Sequence, residues 1–440
     1  MFERKLEQEL IIWKDRTDRK PLILRGARQV GKTSLIRKFG KEHFSEVLEI
    51  NLEKKEQKKM FDGVESITDF VKRVELLIGK TITDGKTLVF IDEIQESKEM
   101  LELLRFFAEE RPHLHIIAAG SLLEAKMGGE WNVPVGRVEY MYLYPLTFFE
   151  FLGAVGQGRW GEYLKKVSLS EKTAGEEIIK ENFRNYMIVG GMPEAVSDFS
   201  KEPGFVKVGE IQNRLRTAYI EDIGKYARDA EKKYLELVME IAPRVAGGIF
   251  KYENFGESGY RGREVQGAIS LLQKVMLLRE VQAVNSTSLP LMYKYKRAKK
   301  MIWLDVGMVN EANNSYRGVV EGRYQGKIME QMVGQTLIAG GTRRLVDLSY
   351  WARNRDEGSA EVDFCFQYGD KVVAMEVKSG NMREMKSLFS MINSGNGKVI
   401  AVRASWDKLG IENYQYGGKK YKVLSLPFYL LERWEDFVSA

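Results

Sequence analysis

The stretch Gly26-Ala27-Arg28-Gln29-Val30-Gly31-Lys32-Thr33 constrains this chain more than any other. It follows an apolar run, Leu22-Ile23-Leu24, and precedes a helical pattern that begins near Thr33. Strand, G-x-x-x-x-G-K-T turn and helix, in that order, make a phosphate-binding loop. Gly26 and Gly31 let the backbone turn tightly and approach phosphate oxygens. The N–H groups of Ala27, Arg28, Gln29 and Val30, and those of the helix start through Ser34, then face the anion. Lys32 is placed to reach the β- and γ-phosphates, and Thr33 to offer its hydroxyl to Mg²⁺. The spacing therefore predicts an ATP site inside an α/β sheet.

A second signal agrees with the first. Leu88-Val89-Phe90-Ile91 reads as a strand buried on both faces of a parallel sheet, and Asp92-Glu93 ends it. A carboxylate pair after a strand is weak evidence alone, but here a matching loop lies about sixty residues upstream. Asp92 is expected to hold Mg²⁺ and Glu93 to orient the attacking water. Met100, Leu103, Leu104 and Phe107 recur at helical spacing, and Pro112 follows the helix end. Ile116 to Gly120 reads as another buried strand. Ser121 after it either reads the γ-phosphate or caps the next helix. Arg137, in Val135-Gly136-Arg137, is one candidate arginine finger among the arginines of the chain. Alternating strands and helices imply a doubly wound parallel sheet with its ligand at the strand C-termini.

These residues resemble a prokaryotic family of AAA-type ATPases that pairs such a core with a C-terminal domain of unknown function, DUF4143. Gly26 to Thr33, Leu88 to Glu93, Gly120-Ser121, Gly136-Arg137 and Tyr144-Pro145-Leu146-Thr147-Phe148 carry the resemblance, which covers nearly the whole chain. It implies an ATPase domain over 1–150, a helical connector over 151–228, a winged-helix-like module over 229–300 and the DUF4143 region over 301–440. At 440 residues, about two to four domains are expected. The net charge of +6 permits a nucleic-acid partner without demanding one. A lone cysteine, Cys365, excludes an internal disulfide and suggests a reducing compartment. Met1 to Lys5 is too charged for a signal peptide, and no apolar run is long enough for a bilayer. A soluble cytoplasmic protein without a membrane partner is expected, with self-association left open. His43, His113 and His115 lack metal-site spacing.

Beyond the core, Phe148 to Leu152 begins a helix, and Gly153 to Gly161 reads as a glycine-rich loop. Residues 175–228 are helical in pattern except at Gly190-Gly191-Met192-Pro193, where a helix cannot continue. That turn is either a hinge or a helix junction. Ala268, Leu271, Leu272 and Val275 form one apolar helical face, and Leu277 to Val284 looks like a strand. Lys294, Lys296, Arg297, Lys299 and Lys300 then crowd together with Tyr293 and Tyr295 interleaved. This suits contact with nucleic acid through phosphates and stacking, and for the chain as a whole a DNA partner is expected ahead of RNA. It suits equally an exposed edge strand kept soluble by lysines.

Glu361 to Lys378 reads as a hairpin turning at Gly369-Asp370. This register sets Asp363 opposite Glu376 and Glu361 opposite Lys378. Val362, Phe364 and Phe366 then face Val377, Met375 and Val373 on the other side. Opposed carboxylates repel, and a divalent cation would offset that, with the Val377 carbonyl as a further ligand. Lys378 would stand beside the metal. Surface ion pairs on a purely structural hairpin are the alternative. Glu330, on a helical face with Val333 and Leu337, could point at the same metal. Glu330, Asp363, Glu376 and Lys378 match the PD-(D/E)xK nuclease pattern, which implies a second divalent metal on Glu330, Asp363 and Glu376. It implies catalysis by Glu376 and Lys378. Met382 to Ile392 looks helical, and Val399 to Val402 and Tyr421 to Leu424 look like strands.

Overall fold

The computed structural model describes residues 1–121, 136–169, 171–225, 227–315, 324–353, 360–380 and 385–439. It divides into two compact units. One comprises Met1–Tyr144, Lys274–Met276 and Gly341–Leu345, and the other Pro145–Gln273, Leu277–Gly340 and Val346–Ala440.

In the first unit, helix α1 (Leu6–Asp15) leads into strand β1 (Leu22–Arg25) and helix α2 (Lys32–His43). Then come β2 (Glu46–Asn51), α3 (Lys55–Met60), α4 (Ile67–Ile78), β3 (Thr87–Asp92), α5 (Lys98–Glu110), β4 (His115–Gly120) and β5 (Glu139–Tyr142). The strands pair in the order β2-β3-β4-β1-β5, and every pair is parallel. β1, β3 and β4 are buried throughout, as continuous apolar strands covered on both faces must be. α4 and α5 cover one face through Phe70, Val74, Met100, Leu104 and Phe107. Ser66 and Ser97 cap these two helices by accepting from the N–H groups of Asp69 and Met100. α3, with the sequence KEQKKM, is almost wholly polar and buries no residue. The sheet is doubly wound, and inserting β4 between β1 and β3 sets the ends of all three strands side by side.

The second unit opens on α6 (Phe148–Ala154), started by a reciprocal cap between Thr147 and Glu150. α7 (Gly158–Leu164) runs where a glycine-rich loop is expected. Burial of Leu164 and packing of Gly161 on Leu152 outweigh the low helix propensity of glycine there. α8 (Glu176–Val189) ends at Gly190, whose φ is 73°, and Pro193 starts α9 (Pro193–Lys201). α10 (Phe205–Gly224), α11 (Asp229–Val245), β6 (Ile249–Phe250), α12 (Gly262–Lys274), β7 (Leu278–Val284) and β8 (Lys299–Trp303) follow. The Gly190-Gly191 turn is a helix junction docked on the start of α13 (Val306–Ala312). Asp305 accepts from Gly191 N at 2.6 Å while capping α13 through Gly307 N and Met308 N. A Cβ on Gly190 would sit 2.0 Å from the Asp305 carboxylate, so only glycine fits.

The chain continues through α14 (Tyr324–Ala339), β9 (Ser349–Ala352), β10 (Glu361–Tyr368), β11 (Lys371–Lys378), α15 (Lys386–Asn393), β12 (Val399–Ser405), β13 (Gly410–Tyr416) and β14 (Lys419–Pro427). The helix expected from Met382 is described only from Lys386, and residues 381–384 lie outside the described residues. Among the described residues, nine strands form one mixed sheet in the order β13-β14-β12-β11-β10-β9-β7-β8-β6. The β7–β8 hairpin that follows α11 and α12 is antiparallel, but β7 also pairs in parallel with β9. The sheet therefore takes strands from both sides of residue 300, where a domain boundary is expected from sequence.

Candidate nucleotide site and carboxylate cluster

The loop between β1 and α2 has two left-handed residues, Gln29 at φ 61° and Gly31 at φ 98°. Gly26 is required by its neighbour: a Cβ there would lie 2.3 Å from the Leu143 carbonyl oxygen. The buried Lys32 ammonium donates to the carbonyls of Gly26 at 2.9 Å and Ala27 at 2.8 Å. Burial pushes it down to about 8, against the pull of Glu93 and Asp92. Thr33 Oγ1 donates to Asp92 Oδ2 at 2.9 Å. A hydroxyl and a carboxylate this close, at the start of α2 and the end of β3, fit a hard, oxygen-seeking Mg²⁺ ion. Burial raises Asp92, with the Thr33 hydrogen bond opposing it. Ala27, Val30 and Lys32 are buried and Ser34 is exposed, while Arg28 pairs with Glu53 at 3.3 Å.

Glu93 follows β3 in a left-handed conformation, φ 54° and ψ 48°. The Gln95 side-chain amide donates to its carboxylate. Gln95 is buried, and its Oε1 lies 2.5 Å from where a Cβ on Gly120 would be. The amide therefore threads between Glu93 and the end of β4. Ser121, next in the chain, is buried, and its hydroxyl has no partner among the described residues. Sequence patterns did not single out Gln95, because it lies in a short 3₁₀ turn without periodicity. They also missed Arg4, which donates to the carbonyls of Val30 at 2.9 Å and Tyr144 at 2.5 Å and so ties the loop to the N-terminus. Arg137 is exposed and pairs with Glu109 at 2.9 Å, while Val135 lies outside the described residues.

In the second unit the hairpin turns at Gly369, φ 58°, and the ladder runs from Phe364↔Met375 to Tyr368↔Lys371, the expected register. Toward its open end the geometry departs from expectation. Pairing of β10 with β9 shifts register between Val362 and Cys365, and Val362 packs with Cys365, Val372 and Ala374. Both faces of β11 are buried, so the large apolar side chains are not confined to one face. Val377 offers its N–H, to Asp363 Oδ2 at 2.8 Å.

Lys300, only 1 % exposed on β8, enters the carboxylate cluster. Its ammonium lies 2.6 Å from Glu330, 3.3 Å from Asp363 Oδ1 and 3.7 Å from Glu361, and it donates to the Asp363 carbonyl at 3.2 Å. Although burial pulls Lys300 down, Asp363, Glu330 and Glu361 together raise it above the ordinary lysine value. Burial and the Asp363 charge push Glu330 up to about 8 and Glu376 up to about 7. Lys378 donates to Glu376 Oε1 at 2.7 Å, and the buried Glu376 Oε2 has no partner among the described residues. Among the described residues, the only ligand-type side chains gathered within 4.8 Å in a set of three are Glu7, Glu42 and His43. Glu330, Asp363 and Glu376 do not converge in that way.

The basic segment before β8 is split between environments rather than uniformly exposed. Lys294 and Lys296 are exposed, Arg297 and Lys299 half-buried, and Lys300 buried. Lys299 lies 4.5 Å from the centre of the Tyr252 ring, and Arg297 donates to the Arg353 carbonyl at 2.8 Å. Tyr252, Tyr295, Lys296, Arg297 and Lys299 line a cleft of about 630 Å³ that Glu253 and Glu280 also border.

Residues 18–152 match the AAA domain family, 180–316 a domain of unknown function, DUF8612, and 325–429 a domain of unknown function, DUF4143. The chain thus carries an AAA domain followed by a DUF4143 domain. No curated protein matches it. Among solved structures it is similar to the Thermotoga maritima RuvB Holliday junction branch migration motor. The identity is 17%, over 64% of this chain and 90% of that one, with a TM-score of 0.30. It is also similar to the S. cerevisiae Hsp104–ADP complex, at 15% identity over 62% of this chain and 38% of that one, with a TM-score of 0.29. Among the described residues, no helix is long and apolar enough to cross a membrane.

Proposed function

We propose that this chain, with its AAA domain and its DUF4143 domain, hydrolyses ATP and couples turnover to nucleic-acid binding by its second unit. The observation that carries the ATPase reading is the Thr33–Asp92 contact at 2.9 Å beside the buried Lys32 ammonium. Residues 26–34 would cradle the triphosphate, and Thr33 and Asp92 would hold Mg²⁺, which neutralises charge on the phosphates. Glu93 would align the attacking water, with Gln95 fixing its carboxylate. Ser121 would meet the γ-phosphate from the neighbouring strand end. Arg137, turned to solvent, suits supply to a neighbouring copy in a homo-oligomer. The division into ATPase core, helical connector, winged-helix-like module and nuclease-like region belongs to this proposal, as does a cytoplasmic setting for the buried Cys365 thiol.

The test is ATP turnover by the purified chain with Mg²⁺. Glu93→Gln is expected to retain ATP binding while phosphate release falls by about 100-fold or more. Turnover at the unsubstituted rate would remove Glu93 from the water-aligning role.

Nucleic-acid binding rests on the cleft between Tyr252 and Lys299. Cations lie beside aromatic faces there, which suits a single strand with phosphates on lysine and bases on tyrosine. Fluorescence anisotropy with labelled single-stranded DNA should show affinity that falls with salt. Lys296→Glu with Lys299→Glu should weaken it by about tenfold or more. Equal binding by this variant would place the contact elsewhere. A second reading, in which ATP gates partner contact and the second unit is a non-cleaving platform, is favoured by Lys300 among the carboxylates.

A further inference from the structure

We infer that Lys300 is a resident cation: its ammonium takes the place that a divalent ion would hold among Glu330, Glu361 and Asp363, and this cluster binds no metal. The inference concerns the second unit alone and stands whether or not the ATP site works as proposed.

Three observations support it. First, the ammonium is within 4 Å of all three carboxylates and donates to the Asp363 carbonyl as well, so its donors are spent inside the cluster. Second, Asp363 is committed on both oxygens, Oδ1 to Lys300 and Oδ2 to Val377 N–H. Both oxygens therefore already face donors, and the Val377 N–H beside Oδ2 repels a cation. Third, Lys300 has no easy exit. It sits on β8 between β6 and β7, beneath Phe364, whose ring centre is 5.0 Å from the ammonium. A divalent ion entering the cluster would have to displace a buried charge or lie beside it, and each course is unfavourable in a low-dielectric site. Glu376 pairs with Lys378 rather than with the Lys300 ammonium. The residue types of a metal nuclease are all present, but the charge that a metal would supply comes from the chain.

The test is a Mn²⁺ titration of the nucleotide-free full chain, followed by electron paramagnetic resonance. The variants are Asp363→Asn, Lys300→Met and the double substitution Lys300→Met with Glu330→Gln. Wild type and Asp363→Asn should take up Mn²⁺ equally, any shared uptake belonging to other sites. Lys300→Met should gain a site about tenfold tighter or better than anything in wild type, since it leaves the carboxylates without their resident cation. The double substitution should lose that gain. Wild-type uptake that falls in Asp363→Asn would overturn the inference, as would a folded Lys300→Met that gains nothing. If Lys300→Met melts without a cooperative transition, rescue of that transition by Mn²⁺ supports the inference. Should no rescue occur, the comparison of wild type with Asp363→Asn decides alone.

Discussion

Replacing Lys32 with Ala should abolish ATP turnover, lowering phosphate release by at least about 100-fold, and should remove most of the heat of ATP binding in the presence of Mg²⁺. The side chain is 6 % exposed, and its ammonium is held by two carbonyls of the loop itself. It is therefore fixed at the bend of the loop, instead of sweeping through solvent. Removing it costs a charge facing the anion and also leaves the Gly26 and Ala27 carbonyls without their donor. Lys32→Met separates the two effects, because it keeps the buried stem and deletes only the charge. If charge recognition dominates, Met and Ala fail alike. If Met retains turnover near the unsubstituted rate, Lys32 is a structural strut and the phosphate-binding role assigned to it is lost.

The strand, turn and helix of the candidate nucleotide site were legible in sequence because their signal is local. Four fixed positions within eight residues set the turn, and an apolar run ending in Asp92-Glu93 announces the partner strand. What stayed hidden depends on chain segments far apart in sequence. Arg4 meets Val30 across 26 residues and Tyr144 across 140, and no periodicity marks such a contact. The hairpin register was readable from alternation of side chains, yet the shift between Val362 and Cys365 was not, because an irregularity leaves the composition of a strand unchanged. The strands Ser349–Ala352 and Gly410–Tyr416 escaped for opposite reasons. The first is four residues long and fully buried, and the second is a largely polar edge strand.

Lys300 shows the limit most clearly. In sequence it is the last of five basic residues in a run of seven, and such runs are ordinarily solvated. On a strand, however, neighbours face opposite ways. Lys299 lies over Tyr252 at the cleft, and Lys300 points inward to Glu330 and Asp363. Only the pairing of β8 with β7, Lys300 against Val281, decides which lysine goes in. Charge in the run and its division between surface and core are therefore different kinds of information, and the second is tertiary.

The Asp305→Ala substitution should destabilise the second unit by about 3–5 kcal/mol, read from the urea midpoint at constant slope. Asp305 is fully buried and accepts from Gly191, Gly307 and Met308, so truncation strands three N–H groups away from water. It also removes the carboxylate that packs against Gly190. Asp305→Asn keeps one acceptor oxygen but turns an amide N–H₂ toward donors, and should fall between wild type and Ala. A pH series adds a second check. Burial pushes the Asp305 carboxyl up to about 6 from its ordinary 3.8, with the three N–H groups opposing. The folded state therefore holds this proton more tightly than the unfolded chain does. The stabilisation from protonation is complete below about pH 4 and is lost as pH rises through 6. Comparing wild type with Asp305→Asn across that window should show the slope in the first and its absence in the second. A midpoint for Asp305→Ala within about 0.5 kcal/mol of wild type would mean that the Gly190-Gly191 turn holds without its carboxylate.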